Sequence, residues 1–176
     1  MKMENLIKRA KRGDADAFTE LMQSQMQNMY RTARAILMND EDSADAIQET
    51  ILICWKKLKD LKEDKYFQTW MTRILINKCY EMIRANQRVT FVEEIPETAI
   101  EADVSNIEWK EAIGALDEKY RLIMVLFYAE GFRTQEIAQM LKIPDSTVRT
   151  RLSRGREQLA RYYKEDLIIG KEKNYG

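Results

Sequence analysis

The chain has 176 residues, 29 Lys and Arg against 29 Asp and Glu, and no histidine. Without histidine, a Ser-His-Asp triad, an HExxH zinc helix and an imidazole general base are excluded. The six glycines form no GxGxxG or GxxxxGK[ST] phosphate loop, and two distant cysteines, Cys54 and Cys79, form no zinc motif or disulfide framework. We therefore expect no metal, no cofactor and a reduced, cytoplasmic location.

Two prolines and few alternating apolar runs predict an all-α chain, and no apolar stretch is long enough to span a membrane. Residues 1–88 carry 16 basic and 13 acidic side chains. Residues 89–106 carry no basic and five acidic side chains, and residues 107–176 carry 13 basic and 11 acidic side chains. The middle segment also lacks helical periodicity. We expect two small helical domains, at 1–88 and 107–165, joined by a flexible acidic linker at 89–106 and followed by a tail at 166–176.

Apolar spacing predicts three helices in the N-terminal domain. One follows the cap candidates Asp14 and Asp16, one runs from about 40–43 to about 61, and one spans about 67–86. The residues expected to face the core are Phe18, Leu21, Met22, Met29, Ala33, Ile36 and Leu37, then Ala44, Ile47, Ile51, Cys54 and Leu58, then Phe67, Trp70, Met71, Ile74 and Met82.

The second of these helices has apolar residues on its outer face. Leu52 and Ile53 lie opposite the core face, beside Asp45, Glu49 and Lys56. An apolar pair ringed by charges is typical of a protein docking surface, although another helix of the domain would explain it equally well.

The third helix carries a polar stripe at spacings of four, three and four residues: Arg73, Asn77, Tyr80 and Arg84. Such a stripe suits a nucleic-acid strand, with the tyrosine ring as a stacking surface, or is simply a solvated face. The preceding loop, KDLKEDKY, is charged and expected to be exposed, as recognition loops are.

The C-terminal domain reads as helices at about 106–115, 118–129, 134–141 and 145–163. Asp117, Thr134 and Asp145 are the N-cap candidates, and Gly131 is expected to be left-handed after the second helix. Residues 134–159 match a helix-turn-helix. A helical wheel turns Val148, Leu152, Gly155 and Leu159 inward and places polar residues outward: Ser146, Thr147, Arg149, Thr150, Arg151, Ser153, Arg154, Arg156 and Glu157.

This recognition helix is basic, with six basic against two acidic side chains from Asp145 to Lys164. Hydroxyls permit close approach to a major groove, and the arginines reach guanine edges or phosphates. DNA binding is favoured over an ordinary solvated helix.

Three segments in this order resemble a bacterial RNA polymerase sigma factor of the extracytoplasmic-function (ECF) type: DAIQETILICWKKL, FQTWMTRILINKCYEMIR and residues 116–159. The resemblance covers about residues 5–163. It implies transcription initiation at specific promoters in a stress response, with core polymerase (its β′ clamp helices and β flap), promoter DNA and a membrane-anchored anti-sigma factor as partners. It implies no small-molecule substrate and no enzymatic activity.

The resemblance also implies residue roles. Core polymerase would bind Asp45, Gln48, Glu49, Leu52, Ile53 and Lys56. The −10 promoter element would be bound by Lys65, Arg73, Asn77, Tyr80 and Arg84, with a flipped base captured by residues 59–67. The −35 element would be read by Ser146, Thr147, Arg149, Thr150, Arg151, Ser153 and Arg154. The acidic linker resembles the segment threaded near the RNA exit path.

Two positions depart from the family pattern: Lys142 stands where glycine is frequent, and Gly155 where alanine is usual. Each should cost about 1 kcal/mol, through a left-handed side chain and a weakened helix interior respectively. The alternative function is a helix-turn-helix regulator that binds DNA without joining polymerase, and a third is a structural helical adaptor whose arginines only confer solubility.

Overall fold

The computed structural model describes the backbone of residues 2–87 and 104–173 and the side chains of residues 2–87 and 109–164. Every regular element in these ranges is helical, which confirms the all-α fold class. The chain divides into two compact units, Met1–Thr90 and Phe91–Gly176, here called the N-terminal and C-terminal units. Residues 89–103 of the predicted linker and 174–176 of the predicted tail lie outside the described residues. No described helix is both long and apolar enough to cross a membrane.

The N-terminal unit consists of α1 (Lys2–Lys11), α2 (Ala15–Leu37), α3 (Asp40–Lys57) and α4 (Phe67–Gln87). Two short 3-10 turns, Leu58–Asp60 and Asp64–Tyr66, lie in the segment that joins α3 to α4. The last three helices are at the predicted places. The first was not predicted, because its lysines and arginines conceal a short apolar face.

Helix α1 is firmly attached to the unit. Its Leu6, Ile7 and Ala10 are buried, and Gly13 takes the positive φ of +92° that the turn into α2 requires. Asp14 caps α2 by accepting a hydrogen bond from the amide of Ala17, as predicted, and it also binds the Arg9 guanidinium at 2.7 Å. Both interactions lower the pKa of Asp14, and the hydrogen bond from the Ala17 amide has the larger effect.

The core of the N-terminal unit is centred on α2, where all the predicted inward residues are buried except the half-buried Leu37. In α3 the prediction is wrong for Ala44, which is exposed, and Ile51 is half-buried. In α4, Trp70, Ile74 and Met82 are half-buried, and the residues buried beside Phe67 and Met71 are Thr72, Leu75, Ile76 and Cys79. Helix α4 is thus rotated about its axis from the predicted orientation, because packing on α2 and α3 selects among its several apolar stripes.

The C-terminal unit consists of α5 (Val104–Gly114), α6 (Glu118–Met124), α7 (Thr134–Leu141) and α8 (Asp145–Lys173). Helix α6 continues into a π-helical turn, Val125–Ala129, and Gly131 then adopts the predicted left-handed conformation at φ +75°. Helix α8 extends well past residue 163, where the sequence prediction ended it, and covers most of the predicted tail. Helix α5 includes residues 104–106 of the predicted linker.

Two of the three predicted N-cap residues in this unit, Thr134 and Asp145, are not the N-caps of their helices. Arg133 rather than Thr134 precedes α7, and its amide donates to the carboxylate of Glu136 at 2.9 Å. Asp145 is already helical, because the carbonyl of Pro144 accepts from the amides of Thr147 and Val148. Asp117 does precede α6, and its carboxylate accepts from Gln158 of α8 at 2.9 Å.

Lys142 ends α7 in the left-handed region, at φ 56° and ψ 46°, and its amide donates to the carbonyl of Ala138. The turn of the helix-turn-helix therefore has the geometry that glycine adopts without strain, although a lysine occupies it.

Replacing Lys142 with glycine should raise the free energy of unfolding of the C-terminal unit by about 0.5–1 kcal/mol. Removing the Cβ atom relieves its clash in the left-handed conformation, which stabilises the folded state. The greater conformational entropy of glycine in the unfolded chain offsets part of this gain. Urea denaturation followed by circular dichroism measures the change. Lys142→Ala is the matched control, because it removes the charge and keeps the Cβ atom; equal stabilisation by both variants would contradict the strain.

Cys54 and Cys79 are fully buried in the N-terminal unit as free thiols. Burial raises the pKa of Cys54 and that of Cys79 from 9.0 to about 12, because the thiolate loses its hydration inside the core. The folded state therefore keeps both protons at a pH where the unfolded chain releases them.

The stability of the N-terminal unit should consequently fall as the pH rises from about 9 towards 12. Between pH 9 and 10.5 the two thiols together should account for about 3 kcal/mol of lost unfolding free energy. Urea denaturation in the presence of a reductant measures the loss. A Cys54→Ala, Cys79→Ala double variant serves as reference for lysine and tyrosine titration; equal pH slopes in both proteins would refute this contribution.

Candidate nucleic-acid and protein-binding surfaces

The helix-turn-helix of the C-terminal unit is formed by α7 and α8. Ile137 of α7 and Val148 and Leu152 of α8 are buried, and the amide of Ile143 in the turn donates to the carbonyl of Ala138. Because the apolar side of α8 is held inward by this packing, its polar side points away from the unit.

A groove of about 340 Å³ lies between the start of α6 and the first three turns of α8. Five of the predicted −35 residues line it, together with two residues of α6: Ser146, Thr147, Thr150, Arg151, Arg154, Lys119 and Tyr120. Arg149 and Ser153 are also exposed, and the Arg149 guanidinium pairs with Asp145 at 3.1 Å. Three cations and the hydroxyls of Ser146, Thr147 and Thr150 around one concave surface suit a polyanion with hydrogen-bonding edges.

Gly155 has a packing role that the sequence did not reveal. A Cβ atom at this position would lie 2.8 Å from the Met124 sulfur and 3.5 Å from the Tyr120 Cβ atom. The glycine lets α8 approach α6 closely, next to the groove that Tyr120 and Arg154 line. The free-energy cost expected for a glycine in the helix interior therefore accompanies a close helix contact that a larger residue would obstruct.

The predicted polar stripe of α4 is exposed along its length. Arg73, Asn77, Tyr80 and Arg84 all lie at the surface, whereas Cys79 on the opposite side is fully buried. The helix that carries the stripe directly follows the loop that contains Lys65. It gives the N-terminal unit an accessible, basic helix face with one aromatic ring.

Lys65 projects from the exposed loop before α4. Its ammonium pairs with Glu63 at 3.2 Å and lies 4.9 Å from the centroid of the Tyr66 ring. The hydrogen bond and charge of Glu63, followed by Tyr66, raise the pKa of Lys65, so the side chain stays cationic. The exposed Tyr66 lies within the predicted 59–67 loop but was not named individually, although an aromatic residue in a charged loop is itself a recognition signal.

The outer face of α3 displays the predicted apolar residue. Leu52 is 59% exposed, so no described helix of the unit covers it, while Ile53 is half-buried. The surrounding polar residues Asp45, Gln48, Glu49 and Lys56 are exposed.

Two contacts stiffen this face of α3. The Glu49 carboxylate binds Lys78 of α4 at 2.9 Å, and Glu49 is the main reason that the pKa of Lys78 is raised. Trp55, 41% exposed, packs on Phe18 of α2 with the ring centroids 4.9 Å apart. Trp55 was not predicted for this face, because the helical wheel singled out only Leu52 and Ile53 as outward apolar residues.

The described residues contain no group of three or more Cys, Asp and Glu side chains arranged to hold a metal ion. Their exposed features are a basic groove, a basic stripe with its loop, and an apolar face ringed by charges. Features of these kinds are suited to binding macromolecules.

Comparison with known proteins gives consistent matches along the chain. Residues 21–89 match the family described as Sigma-70 region 2, and residues 107–159 match Sigma-70, region 4. The ECF RNA polymerase sigma factor SigW of Bacillus subtilis is 27% identical over 184 aligned residues, covering 94% of this chain and 98% of that protein.

Two solved structures share the fold. CnrH, in complex with the cytosolic domain of CnrY, has a TM-score of 0.69 at 24% identity, covering 94% of this chain and 99% of that one. RpoE of Bartonella quintana, in complex with the anti-sigma factor NepR, has a TM-score of 0.69 at 21% identity, covering 84% and 96%.

Proposed function

Because the chain belongs to the sigma-70 family, as a member of its ECF type, we propose that it acts as the promoter-specificity subunit of RNA polymerase. It directs core polymerase to specific promoters and initiates transcription there. The observation that carries this function is the presence of both family regions, in order, one in each unit. We propose that no residue of the chain is catalytic and that its work is done by binding.

The N-terminal unit is proposed to bind core polymerase through the outer face of α3. Leu52 offers the apolar centre of such a contact, and Asp45, Gln48, Glu49, Ile53 and Lys56 its border. Interfaces of this kind have a desolvated apolar centre and a polar rim. The β′ clamp helices of polymerase are the proposed partner.

The same unit is proposed to bind the −10 element through the loop before α4 and the stripe on α4. Lys65, Arg73 and Arg84 supply positive charge for the phosphates, Asn77 an amide, and Tyr80 a ring for stacking. A flipped base would be held by the loop at residues 59–67, and the binding energy offsets the unstacking of that base.

The C-terminal unit is proposed to read the −35 element with the groove beside α8. Arg149, Arg151 and Arg154 reach base edges or phosphates, while the hydroxyls of Ser146, Thr147, Thr150 and Ser153 allow close approach. The unit is also proposed to contact the β flap of polymerase. Lys119 joins this surface as a further phosphate contact.

We extend the proposal to control by an anti-sigma factor that covers these surfaces. The fold is shared with a protein solved together with an anti-sigma factor. A membrane-anchored partner would hold this chain at the inner face of the membrane in a stress response, and its release would free the chain for polymerase.

A helix-turn-helix regulator that never joins polymerase is the competing function. It requires the groove on α8 but leaves the exposed Leu52 and the α4 stripe unexplained. Run-off transcription with purified core polymerase and a promoter library separates the two. Initiation above the level of core polymerase alone supports a sigma factor, and its absence across the library would overturn the sigma-factor function.

Leu52→Asp should abolish binding to core polymerase, because a carboxylate would have to be desolvated at the centre of the interface. Affinity for −35 DNA should be unchanged. Co-purification with core polymerase and fluorescence anisotropy with DNA measure the two properties. Gln23→Asp, at an exposed position of α2, adds the same charge elsewhere on the unit and should retain polymerase. Retention of polymerase by Leu52→Asp would refute the docking assignment.

Arg154→Ala should weaken binding of the −35 element by roughly 1–3 kcal/mol if the guanidinium contacts a base edge. Arg154→Lys is the matched variant, because it preserves the charge and loses the two-pronged hydrogen bond. Both variants should lose specificity for one base pair in a binding assay over single-base substitutions. Full activity of Arg154→Lys with an unaltered sequence preference would reassign Arg154 to a phosphate contact.

A further inference from the structure

Lys11, at the end of α1, contacts the loop between α3 and α4. Its ammonium donates to the carbonyl oxygen of Leu61 at 2.6 Å and to the Asp64 carboxylate at 2.5 Å. The Lys11 and Asp64 side chains are each only 22% exposed, so the pair is shielded from solvent. Such a charge-assisted pair of hydrogen bonds is stronger than a surface ion pair.

The loop is fixed at its ends and exposed in its middle. Leu61 and Phe67 are buried, whereas Lys62, Lys65 and Tyr66 project into solvent. The backbone bonds within the segment close short turns, from the amide of Leu61 to the carbonyl of Leu58 and from Tyr66 to Glu63. The ammonium of Lys11 adds a contact from a separate helix between the two buried ends.

Lys11 is itself held in place, which a positioning group requires. Leu6, Ile7 and Ala10 anchor α1 in the core, and Arg9 binds Asp14 at the start of α2. The helix lies before the segment that matches sigma-70 region 2, which begins at residue 21. The contact therefore joins an element outside the matched region to a loop inside it.

We propose that Lys11 is a positioning residue for promoter opening. It holds the 61–66 loop in the conformation that captures an unpaired −10 base, and it compensates the Asp64 charge, which would otherwise repel the DNA phosphates. This inference rests on the proposed function, because it assigns a support to the −10 surface. Lys11 acts through the loop and touches no DNA itself.

The test compares polymerase holoenzymes that contain the wild-type chain, Lys11→Met or Lys11→Arg. A promoter with 2-aminopurine at the captured −10 position reports base flipping, and filter binding reports the closed complex. Lys11→Met should slow opening about tenfold or more, the order expected for a lost charged hydrogen bond, with closed-complex affinity unchanged. Lys11→Arg should restore most of the rate, since arginine donates to the same two oxygens. Lys8→Met, at an exposed position of α1, is the matched control and should open promoters at the wild-type rate.

A second measurement tests the contact between Lys11 and the loop in the absence of polymerase. Hydrogen exchange of the Tyr66 amide in the free, full-length chain should be faster in Lys11→Met than in the wild type and Lys8→Met. If Lys11→Met does not fold, Asp64→Asn removes the ion pair from the loop side, leaves α1 unchanged and should give the same acceleration.

The outcomes separate the two proposals. Wild-type opening rates in Lys11→Met, or unchanged exchange at Tyr66 in the folded variant, would overturn the role of Lys11 and leave the sigma-factor function standing. If the wild-type chain supports no opening at all, the proposed function fails, and the role of Lys11 in promoter opening fails with it. Faster exchange at Tyr66 would then show only a structural contact.

Discussion

Burial of one apolar face per helix is the constraint on which the rest of the N-terminal unit depends. Helix α2 is central to it, because α1, α3 and α4 all pack against α2, and Leu21 and Ala33 within it are completely inaccessible to solvent. Once these faces are turned inward, the rotation of α3 and α4 about their axes is set. Leu52 and the stripe from Arg73 to Arg84 then face outward as a consequence of the packing on the other side.

The same constraint shapes the C-terminal unit, with closer contact between helices. Gly155 brings α8 against Met124 of α6, and Gln158 binds both the amide and the carboxylate of Asp117. These contacts hold α8 against α6, the two helices whose residues line the groove. Rigid helices of this kind would keep the arginines of the proposed DNA-reading surface close to the geometry that binding requires.

Much of the helical organisation of the chain was predicted from local sequence patterns. The helix-turn-helix was predicted at residues 134–159, and of the residues that the helical wheel turns inward Val148, Leu152 and Gly155 are buried, whereas Leu159 is half-buried. The outward position of Leu52 followed from a helical wheel. Prediction failed where several apolar stripes competed, as in α4, and where charge concealed a short apolar face, as in α1. The left-handed Lys142 shows that a turn can keep its backbone geometry without the glycine that usually supplies it.

The sequence by itself determined the helical class, the order of the two sigma-70 regions and the residue types on each outer face. These properties are local, since helical periodicity and capping depend on residues within a few positions of each other. Only the tertiary structure decided which residues from different helices meet, such as Lys11 with Asp64, Lys119 with Arg154 around one groove, and Gly155 with Met124. Contacts across tens of residues depend on how helices pack, and periodicity within one helix does not encode that.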